Sequence, residues 1–90
     1  MEEKFLSACE ANRQKAAQLG VRIRPVTELA QAHRILSGHR TSDGFAQLAQ
    51  LKHLELSLEA LAVQKQYTSL FSDDEANAAL ERLLEAGYRF

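Results

Sequence analysis

Residues 44–71 carry neither Gly nor Pro inside the run, and Leu, Ala, Gln, Glu and Lys dominate it. These are strong helix formers, so the run reads as one long helix. At 1.5 Å of rise per residue it extends roughly 40 Å, more than a small domain of ordinary compactness needs. Turned at about 100° per residue, the run shows two apolar stripes on opposite sides. Phe45, Ala49, Leu56, Ala60, Val63, Tyr67 and Leu70 form one. Leu51, Leu54, Leu58 and Leu61 form the other, flanked by Glu55, Glu59 and Gln66 on one boundary and by Gln50, Ser57 and Gln64 on the other. A helix of this kind has to be covered twice.

Two coverings are open. The run is the central helix of a four-helix domain, with the first and last helices on one side and the second on the other. Alternatively the leucine stripe, whose spacing is that of a coiled-coil seam, is covered by a second chain. A short second helix and narrow Ala-rich faces on the first and last helices favour the second chain. An identical copy completes the core as a two-fold dimer; a different helical protein serves equally.

The flanking segments supply the other helices. In residues 2–19 an apolar face of Phe5, Cys9, Asn12, Ala16 and Leu19 repeats every three or four positions, and Gly20 stops it. Val21, Ile23 and Pro25 alternate with Arg22 and Arg24 in an extended connector. Thr27 is the expected cap of a second helix with Leu29, Ala32, His33 and Leu36 inside and Gly38 at its end. His33 and Arg34, near that end, suit its exposed carbonyls. Ser42 or Asp43 is expected to cap the third helix. Ser72 and Glu75 have capping-box spacing, opening a last helix with Ala76, Ala79, Leu80, Leu83 and Leu84 inside and Gly87 as its stop. The fold expected is all-α: one four-helix domain over residues 1–90 with a long central third helix, completed as a dimer.

Composition agrees. The chain of 90 residues holds 14 Ala and 14 Leu but only five Val or Ile, a balance that favours helix over strand. Cys9 has no second thiol with which to form a bridge. The start, Met-Glu-Glu-Lys, is acidic where a secretory leader is basic, and the longest stretch without charge, residues 44–51, falls far short of the roughly 20 apolar residues of a membrane span. A cytoplasmic protein without membrane contact is expected.

Motifs that carry chemistry are missing. His33, His39, His53 and Cys9 have no ligand-pair spacing, so no metal or cofactor is expected. His39, Ser42 and Asp43 are the residue types of a hydrolase triad, but neighbours in sequence do not make its geometry, and no nucleophile elbow is present. The acids at 73–75 lack the calcium-loop pattern. Glu55 with Glu59, and Glu81 with Glu85, read as solvated helix faces.

Charge is unevenly distributed. Residues 1–54 hold eight Lys or Arg against five Asp or Glu, and residues 55–90 hold three against seven. Within residues 22–40 the only acid is Glu28, against Arg22, Arg24, Arg34 and Arg40. Followed by Gln47 and Gln50, this segment has the layout of a helix-turn-helix, although the intervening turn is long for that motif. The function expected is therefore a non-catalytic helical protein-interaction module, homodimeric through Leu51, Leu54, Leu58 and Leu61. The alternative is a small DNA-binding regulator in which Arg22, Arg24, Arg34 and Arg40 meet phosphate and Gln47 reads bases.

Overall fold

The run 44–71 does not form one helix. The computed structural model describes residues 2–38 and 41–88, and these are helical with no strand. Among them five α-helices follow in order: α1 (Glu2–Gln18), α2 (Leu29–Ser37), α3 (Phe45–Gln50), α4 (Leu58–Ala62) and α5 (Asp73–Glu85). Single 3-10 turns lie at Leu54–Leu56 and Thr68–Leu70. The all-α expectation holds; the four-helix count and the long third helix are corrected.

Two local devices divide the run. At the end of α3, the Lys52 amide donates to the Ala49 carbonyl at 3.2 Å and the His53 amide to the Leu48 carbonyl at 2.8 Å, the paired bonds of a Schellman ending. That ending needs a left-handed residue, and Lys52 supplies it with φ 62° where glycine is usual. Five residues on, Ser57 turns the chain again in an extended conformation. Its hydroxyl donates to the Leu54 carbonyl at 2.7 Å and accepts from the Ala60 amide at 3.1 Å, closing the 3-10 turn and opening α4 in one side chain.

Breaking the run solves the problem of its two apolar faces inside one molecule. Every residue of α4 is buried, which for so short a helix means that neighbours surround it on all sides. Leu58, Leu61 and Ala62 join Phe5, Cys9, Ala32, Leu36, Phe71 and Ala79 in one apolar cluster. Ala60 joins Ala16, Val21, Phe45, Leu48, Leu54, Leu56 and Leu83 in a second. The described residues fit within 30 × 26 × 22 Å, shorter in every direction than the straight helix alone. The leucine seam is accordingly dispersed: Leu54 belongs to one cluster, Leu58 and Leu61 to the other, and only Leu51 remains exposed, at 45%. An assembly through the four leucines on one helical face has no such face to use.

The outer helices follow the sequence pattern closely. Phe5, Cys9 and Ala16 of α1 are buried, as are Ala32 and Leu36 of α2 and Ala79 and Leu83 of α5, while Leu19 and Leu84 are not. Ser72 caps α5, accepting from the Glu75 amide at 3.1 Å while the Glu75 carboxylate accepts from the Ser72 amide at 2.8 Å. At α2 the cap position is Glu28, one residue after Thr27, and the Gln31 side chain accepts from both backbone amides, at 2.7 Å from Thr27 and 2.9 Å from Glu28. At α3 it is Gly44, whose φ of 75° and whose approach to Val21 leave no room for a Cβ, placed 2.6 Å from the Val21 methyl. Ser42 and Asp43 are not caps, because their side chains bond elsewhere.

Replacing Lys52 with glycine removes the left-handed strain of a residue bearing a Cβ, at some cost in unfolded-chain entropy. Lys52→Gly is expected to raise stability by about 0.5 to 1 kcal/mol, read as a higher urea midpoint with unchanged slope. A lower midpoint would show that the Lys52 side chain holds the turn by some other contact.

Candidate functional site

Glu59 lies in the first turn of α4 and is fully buried. A carboxylate in that position needs partners, and two elements bring them. The Ser42 amide donates to it at 2.8 Å and the Ser42 hydroxyl at 2.5 Å. From α5 the Arg82 guanidinium approaches to 3.5 Å. The same guanidinium donates to the carbonyls of Ile35, at 3.4 Å, of Leu36, at 3.2 Å, and of Gly38, which are acceptors at the end of α2. The α2 terminus is thus capped by a cation from α5, not by His33 or Arg34 from within.

His33 instead reaches across to α5, where its Nδ1 lies 2.8 Å from a Glu75 carboxylate oxygen and its ring meets Phe71 edge-on at 5.2 Å. Ser37 donates to the same carboxylate at 3.2 Å. Partial burial pushes the Glu75 carboxyl up, but the Ser72 amide and the hydrogen bond and charge of His33 outweigh it and leave the pKa below its ordinary value.

The anchored 41–43 segment forms one wall of a cleft of about 640 Å³. Cys9 and Arg13 of α1, the connector residues Ile23, Arg24, Pro25 and Val26, and Gln31, Arg34, Ile35 and Gly38 form further walls. Leu56, Leu58 and Leu61 line it from the core side, next to Thr41, Ser42 and Asp43. Its apolar lining is Ile23, Val26, Ile35 and the three leucines; its charged lining is three arginines against Asp43. Asp43 accepts from the Arg24 amide at 3.3 Å and faces the Arg24 guanidinium at 3.6 Å. Arg13 is held by Glu10 at 2.5 Å, and this contact keeps the Glu10 carboxyl below its ordinary pKa. Arg34 is exposed and has no acidic partner among the described residues.

The cleft collects residues from both sequence readings. Leu58 and Leu61 come from the leucine stripe, and Arg24 and Arg34 from the basic segment. Leu51, Leu54, Arg22 and Gln47 are elsewhere: Leu54 in the core, the other three exposed. Arg40 and His39 lie outside the described residues. Gln47 is on α3, whose six residues extend only about 9 Å, in place of the long reading helix expected. Arg13, Ile23, Val26 and Ile35, and the Ser42, Glu59 and Arg82 network, were missed. The signal for the network was one acid inside the otherwise apolar stretch 58–63 and one base between Leu80 and Leu83.

Burial pushes the Cys9 thiol up to about 12, so it stays protonated at neutral pH. The Ser42 hydroxyl proton is committed to Glu59, and the two described histidines that make hydrogen bonds do so with Glu75 and Glu55. No group of three His, Cys, Asp or Glu among the described residues is placed to hold a metal ion, and no helix among them is long and apolar enough to cross a membrane. Comparison of the chain with protein-family models, curated proteins and solved structures finds no match.

Two outcomes follow from the anchors. Arg82→Met takes the cation away from a buried carboxyl group and should lower stability by about 3 kcal/mol; Glu59→Met with Arg82→Met should recover part of that loss, because the buried acid is then gone with its partner. Chemical denaturation of both variants checks this, and an unchanged Arg82→Met midpoint refutes it. The second concerns acid. A carboxyl whose folded pKa is depressed contributes stability that is present above its unfolded value, 4.5, and disappears as pH falls through the folded value. The stability gap between wild type and Glu75→Gln should therefore be full at neutral pH and shrink below pH 4.5. A gap independent of pH would mean that the Glu75 charge contributes nothing.

Proposed function

We propose that the chain is a non-catalytic protein-interaction module whose docking surface is the cleft bounded by α1, the connector and α2, and that it takes an amphipathic helix carrying acidic residues. The observation that carries this reading is the combination in one concavity of an aliphatic lining with an arginine-biased rim. Aliphatic side chains supply affinity through burial and little chemical discrimination, which suits the apolar face of a helix. The arginines then select for acids beside that face, through charge-assisted hydrogen bonds. Arg34 is the strongest candidate for such a contact, since it is exposed and has no acidic partner among the described residues.

Titration of the isotopically labelled protein with a synthetic helical peptide, leucine on one face and glutamate beside it, tests the reading by amide chemical shift. Perturbations are expected at Ile23, Val26, Ile35 and Leu58, with weaker binding at high salt and none by the same peptide with lysine for glutamate. Equal binding of both peptides, no binding, or perturbations confined to another face would refute it.

A further inference from the structure

The outer face of α5 has the chemistry that the cleft calls for. Viewed down the helix, Asp74, Asn77, Glu81, Leu84 and Glu85 fall within a sector of about 100°. All five are exposed, and Leu84, at 56%, is more exposed than Leu19 or Leu51, the other large exposed hydrophobics. Asp74, Glu81 and Glu85 pair with no cation among the described residues. One leucine flanked by three acids thus stands on a rigid helix.

That face cannot reach the cleft of its own molecule. The opposite side of α5 is fixed inward by buried Ala79 and Leu83 and by Arg82, whose guanidinium is held against Glu59 and the end of α2. Any contact that this face makes with a cleft is therefore with the cleft of another molecule. The cleft lining carries three arginines and one aspartate, and the α5 face three acids and no base, so the two surfaces are complementary in charge as well as in polarity.

We propose that the occupant of the cleft is a second copy of this chain, which presents Leu84 of α5 to the aliphatic lining and its neighbouring acids to Arg24 and Arg34. This rests on the interaction-module reading and names its partner. Each copy owns one cleft and one α5 face, so association satisfies both either reciprocally about a two-fold axis or by passing the contact along from copy to copy. Of the four leucines only Leu58 and Leu61 take part, as cleft lining and not as a helical seam, and the contact joins the basic first half of the sequence to the acidic second half.

Sedimentation equilibrium of the full chain tests it by charge exchange. Wild type is expected to self-associate, less so at high salt. Arg34→Glu and Glu81→Arg, both at exposed positions and checked for folding by circular dichroism, should each weaken association at least tenfold. Mixed in equal amounts they should associate again, since the reversed acid then meets the reversed base. A monomeric wild type, or single variants that associate as wild type does, overturns the proposal. The peptide titration separates this failure from that of the module reading. Glu81→Arg should keep its affinity for the acidic peptide while Arg34→Glu loses it. A monomeric wild type that still binds the peptide in the cleft refutes the second copy alone.

Discussion

A carboxylate with no exposed surface has given up its hydration, and the rest of the molecule is arranged around replacing it. Glu59 draws the 41–43 segment down onto α4 through both polar groups of Ser42, and it draws α5 inward through Arg82. Arg82 in turn satisfies carbonyls at the end of α2. One buried charge therefore sets the position of four elements that have no sequence neighbour in common. Hydrophobic contact alone is indifferent to small shifts in register; a bidentate set of hydrogen bonds to a single carboxylate is not. The cleft inherits this order, because Ser42 and Asp43 form one of its walls.

The apolar clusters are complementary to that arrangement. Each interleaves Phe and Leu with alanine, and Ala at positions 16, 32, 60, 62 and 79 lets backbones approach closely. Close approach brings a short helix such as α4 within reach of α1 and α5 at once. The alanine-rich composition, which read as a sign of narrow and insufficient faces, is what allows a single chain to enclose its own central helix.

Much of this was legible in the sequence and some was not, for reasons that differ by residue. The stops at Gly20 and Gly87 and the start at Ser72 were readable because each depends on a local backbone requirement, whereas Gly38 ends α2 in an extended conformation that any residue adopts. The alternation of Val21 and Ile23 with Arg22 and Arg24 was readable for the same reason. Lys52 was not, since its left-handed conformation is imposed by the burial of Leu48, Leu54 and Leu56 around it and lysine has no preference for it. Ser57 is a helix start whose signal was hidden by its place between leucines, where it passed for the polar edge of a stripe. Glu59 was read as solvated because an acid four residues from another acid usually is. Only the tertiary positions of Ser42 and Arg82 make it otherwise. The cleft itself was partly visible as two unconnected features, a leucine stripe and a basic segment, that meet only after the long run has been divided.

The division of that run also decides how the chain acquires its structure. A helix of five residues is far below the length at which helical hydrogen bonding sustains itself in water, so α4 has no existence apart from the walls that enclose it. Its residues are drawn from the middle of the sequence, while the walls come from both ends, α1 on one side and α5 on the other. The centre of the molecule is thus the part with the least autonomous order, and the chain must close the loop between its ends before its core can become helical. Such a domain has few stable partial forms.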